Sequence, residues 1–332
     1  MEKSHRSMSA VAILAVVCTP AAHSATCGMI NLGISGYFVD AMDNNDSGVI
    51  VGWRDPYGDL IDVDAFVWNA GTVTYLAGLG GTFHRAVAIN NTGLIAGRSE
   101  NTVGAHHAVV WTNGVPADLG TLGGPASFAA AINDNGHVVG TSYTASLERH
   151  AFLWKNGVMI DLATILGAGD AIATGINRQG QIVGTHTRAG KAPAAFMIQS
   201  GSVMYFTGLN SQATYPEDIN DNRQIVGYFE TPKGKDRAFL WQNGVMTGLG
   251  TLGGEESKAF AINADGIVTG LAETADLRPK AFRWKNGVMR NLGTLGGLAS
   301  GGHGINIKGQ IVGSSNTIGE RTKAFRWKTF CT

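Results

Sequence analysis

The chain repeats itself seven times at a nearly constant interval. A tryptophan-like landmark in an Ala-Phe-x-Trp context recurs every 43 or 44 residues, at Trp68, Trp111, Trp154, Ile198, Trp241, Trp284 and Trp327. A glycine, mostly after Ile-Val or Val-Val, recurs in phase, at Gly52, Gly97, Gly140, Gly184, Gly227, Gly270 and Gly313. A repeat of this length is one supersecondary unit that buries its apolar face against its neighbours. The repeat therefore constrains the architecture more than any single motif does.

Each copy predicts four short antiparallel strands. In one copy the strands are 129–132, 138–141, 150–154 and 158–162, and Asn156-Gly157 is a strong hairpin signal. Four strands in such a unit is the count for one blade of a β-propeller. The Gly-Thr-Leu-Gly-Gly segments, as at 120–124, are predicted to step between blades, which places the alanine-rich strand innermost.

The two ends of the chain complete each other. The last copy stops after three strands, and residues 29–33 match 289–293, the outermost strand of the copy before it. We therefore predict an all-β fold, a seven-bladed β-propeller of about 43-residue four-stranded repeats, closed by the N-terminal strand. Cys27 and Cys331 fall at the break, where a disulfide is predicted to stabilise the fold by up to about 5 kcal/mol. The alternative is a pair of free thiols.

The first 24 residues differ from the rest. Lys3 and Arg6 precede an apolar run at 10–17, and small residues at Ala22 and Ser24 suit a signal peptidase. We predict a bacterial signal peptide over 1–24 and a single propeller domain over 25–332. The apolar run is too short to span a bilayer. The predicted location is extracellular, with the periplasm as the alternative.

The charge balance excludes some partners. Lys plus Arg and Asp plus Glu each number 25, so the chain has no basic excess for nucleic acid or an anionic membrane. We expect a monomer without a membrane span.

One motif set resembles a known family. His150-Ala151-Phe152 is followed by Asp161-Leu162, and other copies carry Leu-Gly-Thr-Leu-Gly-Gly. Over about residues 29–330 the chain resembles the bacterial extracellular HAF repeat family. Only the copy at His150 keeps the full tripeptide; His107 precedes Ala108-Val109, and other copies begin at Arg237, Lys280 or Lys323. The resemblance implies export and repeats, and it brings no activity or catalytic residues.

Departures from the repeat indicate a site, because the scaffold does not require them. Asp218 is the charged member of a row of small residues on the innermost strands, and Asp40, Glu217 and His303 are the polar members of the preceding row. Together they predict a polar cluster at the axis that holds a ligand, a cation or ordered water.

A second candidate site lies on the loops. The loops after the second strand of several copies begin with aromatic residues, at Trp53, Tyr57, Tyr143, Tyr228 and Phe229. Exposed aromatic rings there would stack on sugars, whereas the alternative is local packing. The six tryptophans of the repeat are predicted to pack between blades, so that Trp154→Ala costs several kcal/mol.

A weak cation motif precedes Gly48. Asp43, Asn45 and Ser47 place oxygen ligands at alternate positions, as a Ca²⁺ loop does, but the later bidentate acid is missing. An ordinary turn is the alternative, and we predict no other cofactor. The sequence also lacks a Gly-x-Ser-x-Gly element, a Cys–His pair and a P-loop.

These features favour a secreted binding module for an extracellular glycan or protein. The first alternative is a lyase or hydrolase that uses the axial residues, and the second is a structural surface protein. Axial polar residues that converge, with at least one perturbed acid, would favour the enzyme; exposed loop aromatics and a featureless axis would favour binding.

Overall fold

The computed structural model describes residues 28–208, 213–319 and 321–328. The predicted signal peptide, and Cys27 and Cys331 of the predicted disulfide, lie outside the described residues. Within these ranges there are 28 strands and one short helix, α1 (Ala163–Leu166), so the prediction of an all-β chain is confirmed. None of the described helices is long and apolar enough to cross a membrane.

The strands follow one another in groups of four. They are β1 (Gly28–Asn31), β2 (Phe38–Asn44), β3 (Ile50–Asp55), β4 (Asp64–Asn69), β5 (Thr72–Tyr75), β6 (Gly80–Ile89), β7 (Ile95–Asn101), β8 (His106–Thr112), β9 (Val115–Asp118), β10 (Gly123–Ile132), β11 (Val138–Thr144), β12 (Arg149–Lys155), β13 (Val158–Asp161), β14 (Asp170–Ile176), β15 (Ile182–Thr187), β16 (Ala194–Gln199), β17 (Ser202–Phe206), β18 (Ala213–Ile219), β19 (Ile225–Glu230), β20 (Asp236–Gln242), β21 (Val245–Gly248), β22 (Gly253–Ile262), β23 (Val268–Thr274), β24 (Pro279–Lys285), β25 (Val288–Asn291), β26 (Gly296–Ile305), β27 (Ile311–Thr317) and β28 (Thr322–Lys328).

Strands next to each other in the chain pair within each sheet. Five antiparallel sheets have four strands each: β6–β9, β10–β13, β14–β17, β18–β21 and β22–β25. The other eight strands form one sheet in the order β26-β27-β28-β2-β3-β4-β5, with β1 on β28. A single bridge between Phe38 and Thr322 joins β2 to β28. β1 runs antiparallel to β28, with Met29 opposite Trp327.

The joining segments are shorter than the sequence predicts. The Gly-Gly of each Gly-Thr-Leu-Gly-Gly segment begins the next strand, so β10 starts at Gly123 rather than at residue 129. Thr121 fixes this corner, since its hydroxyl accepts from Gly123 N–H and donates to the Gly124 carbonyl. Between β13 and β14, where the segment lacks this motif, the short helix α1 takes its place.

The recurring glycine marks a close approach between the first two strands of each unit. In β14 a register shift between Ala173 and Gly175 inserts one extra residue opposite β15. Gly184 lies opposite Ala173, and a Cβ there would overlap the carbonyl oxygen of Ile172. The same overlap recurs at Gly52, Gly97, Gly140, Gly227, Gly270 and Gly313. These glycines are therefore required by the bulge rather than by a turn.

The turn after each first strand is built on a buried asparagine. Asn133 Oδ1 accepts from the N–H groups of Asn135 (3.1 Å) and His137 (3.0 Å). Its Nδ2 donates to the Asn177 carbonyl at 2.9 Å, in the next unit. The same side-chain bond to the next unit recurs at Asn45, Asn90, Asn177, Asn220, Asn263 and Asn306, and the one from Asn306 reaches the Asn45 carbonyl.

Phenylalanine is the most deeply buried part of the Ala-Phe-x-Trp motif. Its ring is fully buried at Phe66, Phe152, Phe196, Phe239, Phe282 and Phe325. The tryptophans are slightly less buried. Their exposed fraction is at most 7% at Trp68, Trp111, Trp241 and Trp284, and Trp154 and Trp327 are partly buried. The clusters cross between units, since Phe152 and Trp154 pack with Ala108 and Leu119. The predicted packing role of the tryptophans is confirmed.

The His-Ala-Phe motif links the two outer strands of its unit. His150 Nδ1 lies 2.8 Å from Asp161 Oδ2, across the pair β12 and β13. His107 makes the same contact with Asp118. The histidine and the downstream aspartate are therefore a structural pair, which explains their joint occurrence in the motif.

Candidate functional site

A central cavity lies where the first strands of all the units meet. Its volume is about 510 Å³. β2, β6, β10, β14, β18, β22 and β26 each contribute to its lining. The bulge brings two successive side chains of a strand to the lining, as with Glu217 and Asp218 of β18. All four residues predicted for the axial cluster, Asp40, Glu217, Asp218 and His303, line this cavity.

The structure corrects the alignment of the first unit. Asp43 lies opposite Val51 as Asp218 lies opposite Val226, so Asp43 is the repeat partner of Asp218. The sequence alone aligns this unit two residues too early and places Asp43 in a weak cation motif or a turn. Counting back nine residues from Gly52, as from Gly227 to Asp218, would have found it. Asp40 remains in the lining, although its repeat partner is not His303.

Asp43 and Asp218 make the same contacts in their two units. Asp43 accepts from the N–H groups of Asn44 (2.8 Å) and Ile89 (2.9 Å). Asp218 accepts from those of Ile219 (2.7 Å) and Ile262 (2.9 Å). Burial raises the pKa of both carboxyls, although the hydrogen bonds from the backbone lower it. The pKa of Asp43 rises to about 7, and the charge of Asp218 adds to this rise. Both carboxylates therefore connect neighbouring units while they line the cavity.

Glu217 is an acid without a partner. Its carboxyl makes no hydrogen bond or ion pair with any residue that the structure describes. Burial raises its pKa to about 7, and the charge of Asp218 adds to the rise while Lys258 opposes it. Lys258 itself pairs with Asp236 at 2.8 Å. A half-buried carboxyl that titrates near neutrality and faces a cavity is typical of functional sites.

His303 and Asp40 form a charged contact on another side of the cavity. His303 Nδ1 lies 2.9 Å from Asp40 Oδ1. Burial lowers the pKa of His303, but the charge of Asp40, together with the contacts to the Asp40 side chain and the Ala41 backbone, outweighs this effect, so the pKa lies above its usual value. The ring also meets Phe260 edge-on, with centroids 5.8 Å apart. The cavity thus offers both an acidic and a basic side chain.

The predicted aromatic loop residues do not form one exposed surface. Tyr57 is 71% exposed, whereas Phe229 is 5% exposed and belongs to the core. Trp53 lies beneath the Arg85 guanidinium, 3.9 Å from the ring centroid. Tyr228 stacks on Tyr215 and lies under Lys258, and Tyr143 is half-buried. The sequence overestimates the exposure of the four aromatic residues other than Tyr57, because they lie in β-strands and pack against neighbouring side chains.

The residues of the weak calcium motif have two separate structural roles. Asp43 serves the cavity, and Asn45 Oδ1 accepts from Ser47 N–H and Val49 N–H, both at 3.1 Å, as a turn requires. Within the described ranges no group of three or more His, Cys, Asp or Glu side chains is placed to hold a metal ion.

Solved structures give the fold a context. No family model matches the chain, and no curated protein matches it. It is similar to the β-propeller domain of the trilobed protease from Pyrococcus furiosus, at 12% identity and a TM-score of 0.59, over 88% of this chain and 96% of that one. It is also similar to YCF48 from Cyanidioschyzon merolae (11%, TM-score 0.56, 91% and 99%) and to the WD40 propeller domain of Doa1 (16%, 0.54, 90% and 97%). The chain therefore has a β-propeller fold.

The raised pKa of Glu217 predicts a pH-dependent stability. Its pKa is 4.5 ordinarily and about 7 in the fold, so between these values the folded state holds more protons than the unfolded state. Stability then falls as pH rises through this window. Glu217→Gln removes the penalty, and we expect it to be about 1–3 kcal/mol more stable than wild type at pH 8 and equal at pH 4.

Urea denaturation at the two pH values measures this difference. Glu148→Gln is the matched control, because Glu148 is 67% exposed. A gain from Glu217→Gln that is the same at pH 4 and pH 8 would contradict the assignment.

Proposed function

We propose that the chain is a seven-bladed β-propeller, closed by β1, that is exported and acts as a binding module. Closure is supported by the pairing of β1 with β28 and by the bond from Asn306 to the Asn45 carbonyl. The disulfide between Cys27 and Cys331, the bacterial origin and membership of the HAF repeat family are part of the proposal. They rest on the sequence alone.

The proposed ligand site is the central cavity rather than the aromatic loops. The observation that carries it is the unpartnered carboxyl of Glu217 in a cavity of about 510 Å³, a usual size for a small-molecule site. The carboxyl is half-buried and faces the cavity, so a ligand that donates to it gains a hydrogen bond that no described residue supplies.

The chemistry of the lining favours a ligand rich in hydrogen-bond donors. Carboxyl groups from Asp40, Asp43, Glu217 and Asp218 line the cavity, and they accept bonds from hydroxyl or ammonium groups when ionised. Phe260 adds an apolar wall. A short saccharide segment of an extracellular glycan, plain or amino-substituted, has this mixture of groups, so we place it ahead of a protein partner.

A saccharide panel tests the proposal on the mature chain. Calorimetry or thermal shift is expected to find a binding saccharide, and Glu217→Gln is expected to weaken it at least about 10-fold, which is about 1.4 kcal/mol. Glu148→Gln, on the surface, should leave the affinity unchanged. A saccharide that binds equally well to the Glu217→Gln protein would rule out this site.

An acid–base enzyme is the second candidate. Glu217, with its pKa of about 7, and His303 beside Asp40 are suited to a lyase or hydrolase, which needs one group to take a proton and another to give one. Cleavage of a bound saccharide by the wild-type protein, with loss of that activity in both the Glu217→Gln and the His303→Asn proteins, would favour the enzyme. Binding without turnover would favour the module.

A further inference from the structure

A second cavity, of about 320 Å³, lies between the first and the last repeat units. The β2–β3 turn, β4 and the turn after β4 form one wall, and the β26–β27 turn and β28 form the other. Its polar and aromatic lining includes Ser47, Trp68, Lys308, Gln310, Arg326 and Lys328. Three of these side chains are cationic and none is acidic. The cavity shares no residue with the central one.

Two buried donors at this cavity lack an acceptor. Trp68 is 5% exposed, and its indole Nε1–H has no hydrogen-bond partner among the described residues. Arg326 Nε is also buried without a hydrogen-bond partner among the described residues. Its guanidinium lies 4.8 Å from the centre of the Trp68 ring. The corresponding Trp111 donates to the Ala77 carbonyl at 2.7 Å. A buried N–H without an acceptor is costly, so the Trp68 site lacks a group that its repeat partner has.

The charges of this cavity are also uncompensated. Lys308, Arg326 and Lys328 form no ion pair within the part of the chain that the structure describes. In the preceding unit Arg283 and Lys285 occupy the positions of Arg326 and Lys328, but Asp265 stands where the last unit has Lys308. The last unit thus replaces a carboxylate by a third cation.

We propose that this cavity binds an oxyanion: a sulfate, a phosphate or the carboxylate of an acidic ligand. The Trp68 indole and the Arg326 guanidinium donate hydrogen bonds to its oxygens, and Lys308 and Lys328 add charge from the exposed side. Charge-assisted bonds from a guanidinium are among the strongest that a protein offers to such groups. Three cations favour a dianion over a monoanion. This site is independent of the proposed function of the central cavity.

The test titrates the mature chain with sodium sulfate, sodium phosphate or sodium acetate, with chloride added to hold the ionic strength constant. Calorimetry measures affinity, and the ¹⁵N-indole NMR signal of Trp68, assigned from a Trp68→Phe spectrum, reports on the site. We expect saturable binding with a shift of that signal. Arg326→Gln should weaken binding at least about 10-fold and Lys308→Gln several-fold, whereas Lys285→Gln, in the preceding unit, should not.

The comparison of sulfate, phosphate and acetate identifies the kind of oxyanion that binds. Tighter binding of sulfate and phosphate supports a dianion, and tighter binding of acetate supports a carboxylate ligand in the same site. The absence of saturation for all three up to about 10 mM, or equal affinity in the Lys308→Gln and Arg326→Gln proteins, would overturn the proposal. Lys308 is exposed, so its variant remains informative if Arg326→Gln does not fold.

Discussion

Replacing Gly184 by alanine is expected to destabilise the protein by about 3 kcal/mol or more. The new Cβ would overlap the carbonyl oxygen of Ile172 and lie 2.7 Å from the Phe196 ring. Both neighbours are fixed, because one is backbone and the other is fully buried. The overlap can be relieved only by separating β14 from β15, which breaks the pairing that forms the bulge.

Gly248 provides the matched control. It also lies in a strand, and a Cβ at this position has no atom within 4 Å, so Gly248→Ala should change stability little. Urea denaturation of the three proteins gives the comparison. Equal stability of the Gly184→Ala and Gly248→Ala proteins would show that the first two strands of the unit can part without cost, and the explanation of the glycine row would fail.

Phe152→Ala is expected to cost about 3–5 kcal/mol, and Trp154→Ala to cost less. The Phe152 ring is fully buried and packs between two units, whereas Trp154 is partly exposed at the edge of the same cluster. Truncation of Phe152 leaves a cavity that the surrounding strands cannot fill, because paired strands move little.

Chemical denaturation of both variants tests this order. Lys155→Ala is a useful third variant, since Lys155 follows directly in β12 and is not part of the core cluster. A larger loss from Trp154→Ala than from Phe152→Ala would mean that the tryptophan, rather than the phenylalanine, bears most of the packing between units.

The bulge behind the glycine row also sets the chemistry of the central cavity. It adds one residue to each first strand, and this brings Glu217 and Asp218 into the lining together. Glu217 is not part of the neighbouring apolar cluster, so Glu217→Gln changes the cavity lining without removing an apolar core contact. Neither expectation stated for the two functions is met in full. The axial acids are perturbed, as the enzyme requires, but of the four predicted axial residues only Asp40 and His303 contact each other, and most of the loop aromatics are at least partly covered, against the binding expectation. The cavity is therefore a better candidate site than the loops for either function.

The sequence by itself determined the repeat unit, its four strands and the all-β class. These follow from local signals, since alternating apolar residues, Asn-Gly turns and the regular glycine depend on near neighbours in the chain. It also identified Asp40, Glu217, Asp218 and His303, because residues that depart from a repeat are visible without coordinates.

Only the tertiary structure decided which side chains meet. The strand pairing placed Asp43 in the row of Asp218, and an alignment on the conserved isoleucine misses this because the first copy has Asn44 at that position. Contact between the first and last units placed Trp68 beside Arg326, residues far apart in the chain. Burial and unsatisfied donors depend on such long-range contacts, so no local pattern in the sequence encodes them.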